Sequence, residues 1–283
     1  MSAESGDLLP PPPVPPLLGQ PPMSAPAGMV APQHDVRAID FGGHKGTPLT
    51  PVGWPWPLMF VLVAVAVAST YGGSWIAYRS GILRDMTPDT RAIALTMIIF
   101  LQYLPAIVVA FLWARGRGVG FSEAFVVRRF KLGAGIGMAI GLAVVGRMLG
   151  VQYAIFMNRL GVVAPQTPDI TRLFPASPIG VMATILTAVV IAPLAEETIF
   201  RGVVFPGLRE RWGQIAGLVV SSALFALIHF QWYQFVPIFL LGVLLAWVTS
   251  ATRSIWPAIM CHAAFNGSGV ALLYLLRALR VGG

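Results

Sequence analysis

The chain has 283 residues, 56% of them hydrophobic and only 11% charged, with a mean hydropathy of +0.75. Soluble domains carry roughly 25% charged residues, so these proportions exclude a soluble globular protein. The single cysteine, Cys261, excludes a disulfide framework and a cysteine-based zinc module. The formal charge of +8 does not mark a nucleic-acid binder: the basic residues are spread between apolar runs and gather only in 115–131, where five of seventeen are Arg or Lys. Short basic loops flanking apolar spans are what membrane orientation requires.

The first 57 residues hold 14 of the 24 prolines. Proline fixes φ and removes a backbone donor, so residues 1–54 are expected to be a Pro-rich, solvated tail without a packed core. A docking site for a proline-reading partner is the alternative use. The tail has neither the basic start nor the apolar stretch of a secretory signal. Residues 55–283 form the integral membrane domain. Its apolar runs predict about seven spans, near 57–78, 92–114, 133–157, 178–202, 214–232, 234–252 and 256–276, each close to the ~20 residues that cross a ~30 Å hydrocarbon core. Helices are the default spanning structure, because lipid offers backbone groups no partner. The fold class is therefore all-α, a polytopic transmembrane helix bundle. The glycines of 133-GAGIGMAIG-141 predict a close helix-packing face. With the 115–131 loop in the cytoplasm, the tail, 209-RERWG-213 and 252-TRS-254 lie on that side, and seven spans leave the C-terminus with Arg277 and Arg280 outside.

An ionisable side chain at mid-bilayer costs about 2.5–3.5 kcal/mol or more. Within the spans these are Arg147, Glu196, Glu197, Arg201, His229 and His262. In 196-EETIFR-201, Glu197 and Arg201 are i,i+4 and share a helix face, with the acid on the favourable N-terminal side. Glu196 points about 100° away. Either both acids neutralise one arginine, or Arg201 holds Glu197 while Glu196 is left to take a proton. In 225-FALIH-229, Phe225 and His229 share a face; a lone histidine there is commonly a satisfied core residue. A hairpin turn at 212–213 nevertheless puts Glu196 and His229 at matched offsets, hence similar depth, with Pro206-Gly207 expected to break the first helix. In 262-HAAFN-266, His262 and Asn266 share a face and offer two donors that can converge on one oxygen. Arg147 is expected to be structural, and Pro193, three residues before Glu196, to kink its helix.

EExxxR, FxxxH and HxxxN, in that order on three apolar helices, resemble the CPBP family of intramembrane proteases, which includes the type II CAAX prenyl endopeptidases and bacterial bacteriocin-processing or self-immunity proteins. The resemblance covers about residues 178–270. The family is usually described with eight spans, one more than the seven read here. The resemblance implies an endopeptidase in which Glu196 activates water, His229 helps hold it, His262 and Asn266 stabilise the oxyanion, and Glu197 with Arg201 support the site. No HExxH is present. A divalent metal such as zinc takes three protein ligands plus water, which Glu196, His229 and His262 can supply; a metal-free glutamate mechanism fits the same residues, and both stay open. The implied partners are membrane lipid and a peptide or protein substrate, including membrane-anchored ones. A chain rich in Ala, Val, Gly and Arg suggests a bacterial plasma membrane, where a bacteriocin-like peptide is a more plausible substrate than a prenylated one. Two other classes compete: a non-catalytic immunity or peptide-sequestering protein, and a transporter or proton relay, for which the chain shows no internal repeat.

Overall fold

The computed structural model describes residues 48–130, 132–162 and 173–281, all within one compact unit, Ile39–Gly283. The expectation of a solvated tail falls mostly on residues outside these. Its last residues, 48–54, are packed: Leu49, Val52 and Trp54 are buried among core side chains.

The described residues form helices and no strand. We number them α1 (Trp56–Arg79), α2 (Pro88–Gly116), the single turn α3 (Phe121–Ala124), α4 (Leu132–Arg159), α5 (Pro178–Trp212), α6 (Gln214–Leu227), α7 (Phe235–Thr252) and α8 (Trp256–Val281). Six of these, all but α3 and α6, are long and apolar enough to cross a membrane. The span expected at 214–232 ends early. Helix α6 has 14 residues, about 21 Å at ~1.5 Å per residue, and a turn with Phe230 at φ 50° intervenes before α7. The chain is a multi-pass, all-helical membrane protein.

Many buried positions between the helices are small (Ala92, Ala106, Ala110, Ala114, Ala246 and Ala258), beside a core of Phe125, Phe200, Phe205 and Phe225, while large apolar side chains such as Trp75, Leu101, Leu112, Met148 and Leu279 are exposed. Lipid is as apolar as leucine, so large side chains are tolerated on the outside, and small ones inside let helices approach closely. At Gly242 of α7 an added Cβ would lie 3.0 Å from the Ser222 Cβ of α6. The hairpin between α5 and α6 turns on Gly213, whose φ of 89° disfavours a side chain.

Helix α5 is continuous through its two interior prolines, Pro193 and Pro206, so the break expected at Pro206-Gly207 is absent. Each proline is instead preceded by a π-helical segment, Leu186–Ile191 before Pro193 and Phe200–Val204 before Pro206. The last wide bonds run from Ala192 N–H to Thr187 O and from Phe205 N–H to Phe200 O. The next residue is proline in both cases. Its ring would clash with the carbonyl four residues back in a regular α-helix; the wider five-residue register makes room for it. Glu196, Glu197 and Arg201 stand between or within these two segments.

Arg147 is structural, as expected. It ties α4 to α8 by donating to the Phe265 carbonyl (2.6 Å) and Ser268 Oγ (3.1 Å), with its guanidinium 4.1 Å from the Phe265 ring centroid.

Candidate active site

The site is built where α5 meets α8, with α6, α7, α2 and α1 around it. Arg201 and Glu197 are 1% and 0% exposed. Arg201 Nη1 donates to Glu197 Oε1 at 3.1 Å, as the i,i+4 spacing predicts, and Nη2 donates to the Gly242 carbonyl at 3.0 Å. The guanidinium also lies 4.4 Å from the Phe225 ring centroid, an arrangement in which the negative face of the ring supports the cation. Phe225, the first residue of FxxxH, thereby braces the arginine of EExxxR. Its ring also meets His229 and His262 edge-on, at centroid distances of 5.0 and 5.8 Å.

His262 Nδ1 lies 2.9 Å from Glu197 Oε1. A carboxylate paired with a guanidinium accepts hydrogen bonds, so Nδ1 carries the proton and Nε2 faces the other way. There it stands 3.9 Å from Glu196 Oε2, beyond direct hydrogen-bond reach. Glu197 thus does two things: it neutralises Arg201, and it fixes the ring orientation of a histidine 65 residues away in the chain.

Glu196 points elsewhere, as its 100° offset requires. Its Oε1 accepts from the Tyr103 hydroxyl of α2 at 2.8 Å, and its side chain lines a cavity of about 200 Å³ that His229, Tyr71, Thr70 and Gln231 also line. His229 Nδ1 is 2.7 Å from the Phe225 carbonyl. A carbonyl only accepts, so Nδ1 is protonated and Nε2 is left with a lone pair. His229 sits just beyond the end of α6 rather than inside a longer helix. Irregular backbone at membrane depth is tolerated where it lines a cavity, and here it does.

Asn266 lies one turn beyond His262 on α8. Its Nδ2 donates to the Ala188 carbonyl of α5 at 2.9 Å. In the π register that carbonyl would pair with the backbone nitrogen of residue 193, which is proline and has no N–H. The side-chain amide takes the place of the missing donor, and its second N–H remains for another acceptor. The structure therefore joins Glu196, Glu197, Arg201 and His262 in one cluster, places His229 with Glu196 on one cavity, and sets Asn266 on the same α5–α8 seam with no hydrogen bond to the other five.

Sequence reasoning missed Tyr103 and Tyr71. Among the described residues, no three His, Cys, Asp or Glu side chains are grouped so as to hold one metal ion. One Glu196 oxygen is held by Tyr103 and the other lies 3.9 Å from His262 Nε2, while His229 stands across the cavity, so the three side chains are not gathered as one ligand set.

Comparison with known proteins bears on the segment that holds the three motifs. Residues 178–268 match the family model described as type II CAAX prenyl endopeptidase Rce1-like. This Rce1-like segment begins at the first residue of α5 and includes every motif residue, but neither Tyr71 nor Tyr103. Among curated relatives, a 24.3 kDa protein of Escherichia coli is 34% identical over 115 residues, 38% of this chain and 51% of the relative. The UPF0177 protein YxdF of Lactococcus lactis subsp. lactis is 35% identical over 89 residues, 30% of this chain and 48% of its own. YdiL of Bacillus subtilis, whose name proposes a membrane peptidase, is 26% identical over 130 residues, 46% of this chain and 51% of its own. The chain spans about half the length of the curated relatives it matches. No solved structure matches it significantly. The Rce1-like segment and the YdiL likeness support a protease-like role for a multi-pass membrane protein.

Proposed function

We propose that the chain is an intramembrane endopeptidase of the bacterial plasma membrane that hydrolyses peptide bonds near the membrane surface, with Glu196 as general base. The observation that carries this reading is a buried, partly pinned carboxylate on a cavity it shares with His229. Water in that cavity donates one hydrogen to Glu196 Oε2 and the other to His229 Nε2, which aligns its oxygen lone pair. The water oxygen attacks the scissile carbonyl carbon, and Glu196 takes the proton. With both carboxylates ionised, the Glu196–Glu197–Arg201 group carries one net negative charge, and the proton gained at Glu196 removes it. The oxyanion is met by the free N–H of Asn266, one turn along α8 from the His262 ring that Glu197 anchors. One such donor is worth about 2.7–4 kcal/mol in the transition state. Collapse of the tetrahedral intermediate breaks the C–N bond, and Glu196 passes its proton to the leaving nitrogen.

Two features support a position near the surface. Glu196 lies six residues before Gly202, where an added Cβ would lie 3.2 Å from Phe125 of the basic loop. His262 lies six residues into α8, and Ile255, just before that helix, donates to the Val126 carbonyl of the same loop. Both offsets are about 9 Å. The substrate class is a peptide or protein that reaches the cavity from the membrane.

The test uses the full chain in liposomes with fluorescence-quenched casein as a general endopeptidase probe. Glu196→Gln keeps the shape and removes the base, so cleavage is expected to fall by at least 100-fold, and a chelator is expected to leave wild-type cleavage unchanged. Undiminished cleavage by Glu196→Gln overturns the assignment, and loss of cleavage on chelation that zinc restores overturns the metal-free mechanism.

A further inference from the structure

We propose that Tyr103 is a positioning residue for Glu196, so that α2, which lies outside the Rce1-like segment, completes the site. The inference rests on the reading of Glu196 as the base and adds to it a residue that no motif contains.

A carboxylate presents two equivalent oxygens and swings about its last bond. A base must offer one of them in a fixed direction, because a displacement of about 1 Å can cost on the order of 100-fold in rate. Glu196 Oε1 is fixed by the Tyr103 hydroxyl at 2.8 Å. Tyr103 is itself held: it packs against the buried cluster of Leu62, Ala106, Phe200 and Phe225. A phenol on a packed, rigid ring is a stationary donor, and only Oε2 is left to turn toward water. From each neighbouring helix a polar group faces this region: Tyr71 from α1, Tyr103 from α2, His229 from the end of α6 and His262 from α8. Glu197 and Arg201 of α5 itself complete the charged set. Tyr71 does for the cavity's other wall what Tyr103 does for Glu196. Its hydroxyl donates at 3.0 Å to the carbonyl of Ile228, the residue before His229. Glu196 and His229 thus each have a tyrosine from the first two helices holding it or its immediate neighbour.

The experiment compares wild type, Tyr103→Phe, Glu196→Gln and the double variant in liposomes, with quenched casein as substrate. Tyr103→Phe removes one oxygen atom and keeps the packing. The loss of a hydrogen bond to a charged group predicts a fall in kcat of about 10- to 100-fold, with KM changed less than twofold and no additional loss in the Glu196→Gln background. An infrared measurement needs no substrate: the carboxyl band that disappears in Glu196→Gln is expected to shift in Tyr103→Phe. If Tyr103→Phe unfolds, ring-fluorinated tyrosine incorporated into wild type makes the phenol a stronger donor and must move that band the opposite way. Wild-type kcat and an unmoved band in Tyr103→Phe, with Glu196→Gln inactive, overturn the positioning role and leave the base assignment standing. A raised KM at unchanged kcat also overturns it. Undiminished cleavage by Glu196→Gln overturns the base assignment and this inference together.

Discussion

At the scale of single residues, Arg201 shows how a charge is kept in a membrane interior. Its two Nη atoms go to Glu197 and to the Gly242 carbonyl, and the Phe225 ring covers its face. Breaking a buried ion pair leaves the partner charged and alone, which costs about 3–5 kcal/mol. Arg201→Met is therefore expected to destabilise the protein by about that much in detergent unfolding. Adding Glu197→Leu is expected to restore most of the stability but not the activity, because His262 Nδ1 then has no carboxylate to hold it. Stability that is not regained in the double variant would show that the pair does more than neutralise itself. The ion pair was legible in the sequence because both members lie on one helix turn. The link from Glu197 to His262 was not, since helix spacing says nothing about which face of α8 meets α5. Tyr103 was the least visible: a tyrosine in an apolar helix reads as packing, and its one clue is a hydroxyl far from either helix end.

At the scale of elements, the prolines of α5 act through the register they impose. Sequence reasoning expected a kink at Pro193 and a break at Pro206; both are resolved by π-helical segments that keep the helix whole. The first segment leaves the Ala188 carbonyl without a backbone donor, and Asn266 supplies one from α8. The asparagine of HxxxN thus has a structural partner set by a proline 73 residues earlier in the chain. Pro193→Ala returns an N–H that competes for that carbonyl. Asn266→Ala alone is expected to destabilise by about 1 kcal/mol, whereas the same change in a Pro193→Ala background is expected to be close to neutral. The resulting coupling of at least about 0.5 kcal/mol is measurable by a double-mutant cycle. Additive losses would show that the two residues do not share the carbonyl. The short α6 is a second case. Its largely apolar sequence extends to Phe230, so hydropathy alone extended the span; the helix ends at Leu227, and the turn that follows sets His229 on the cavity.

At the scale of the whole molecule, orientation follows from where charge collects. The ends of α2, α5 and α7 and the starts of α1, α4 and α8 lie together, tied by Arg128 to the Leu49 carbonyl, Arg253 to the Pro48 carbonyl and Ser254 to the Arg128 carbonyl. That end carries Arg115, Arg117, Arg128, Arg129, Arg209, Arg211 and Arg253 against Glu123 and Glu210. By its excess of arginine this end is expected in the cytoplasm, with α4 running outward to Arg159. The sole cysteine, Cys261, is fully buried, so an impermeant maleimide should ignore it and report only a cysteine introduced elsewhere. Gly120, before α3, and Asn158, at the far end of α4, are both exposed. In intact bacterial spheroplasts Asn158→Cys is expected to be labelled and Gly120→Cys protected, with both labelled after the membrane is opened. The reverse pattern would place the basic end outside. It would also move the proposed site, some 9 Å along α5 and α8 from the Phe125–Val126 loop, to the other half of the bilayer, and with it the side from which a substrate peptide must arrive.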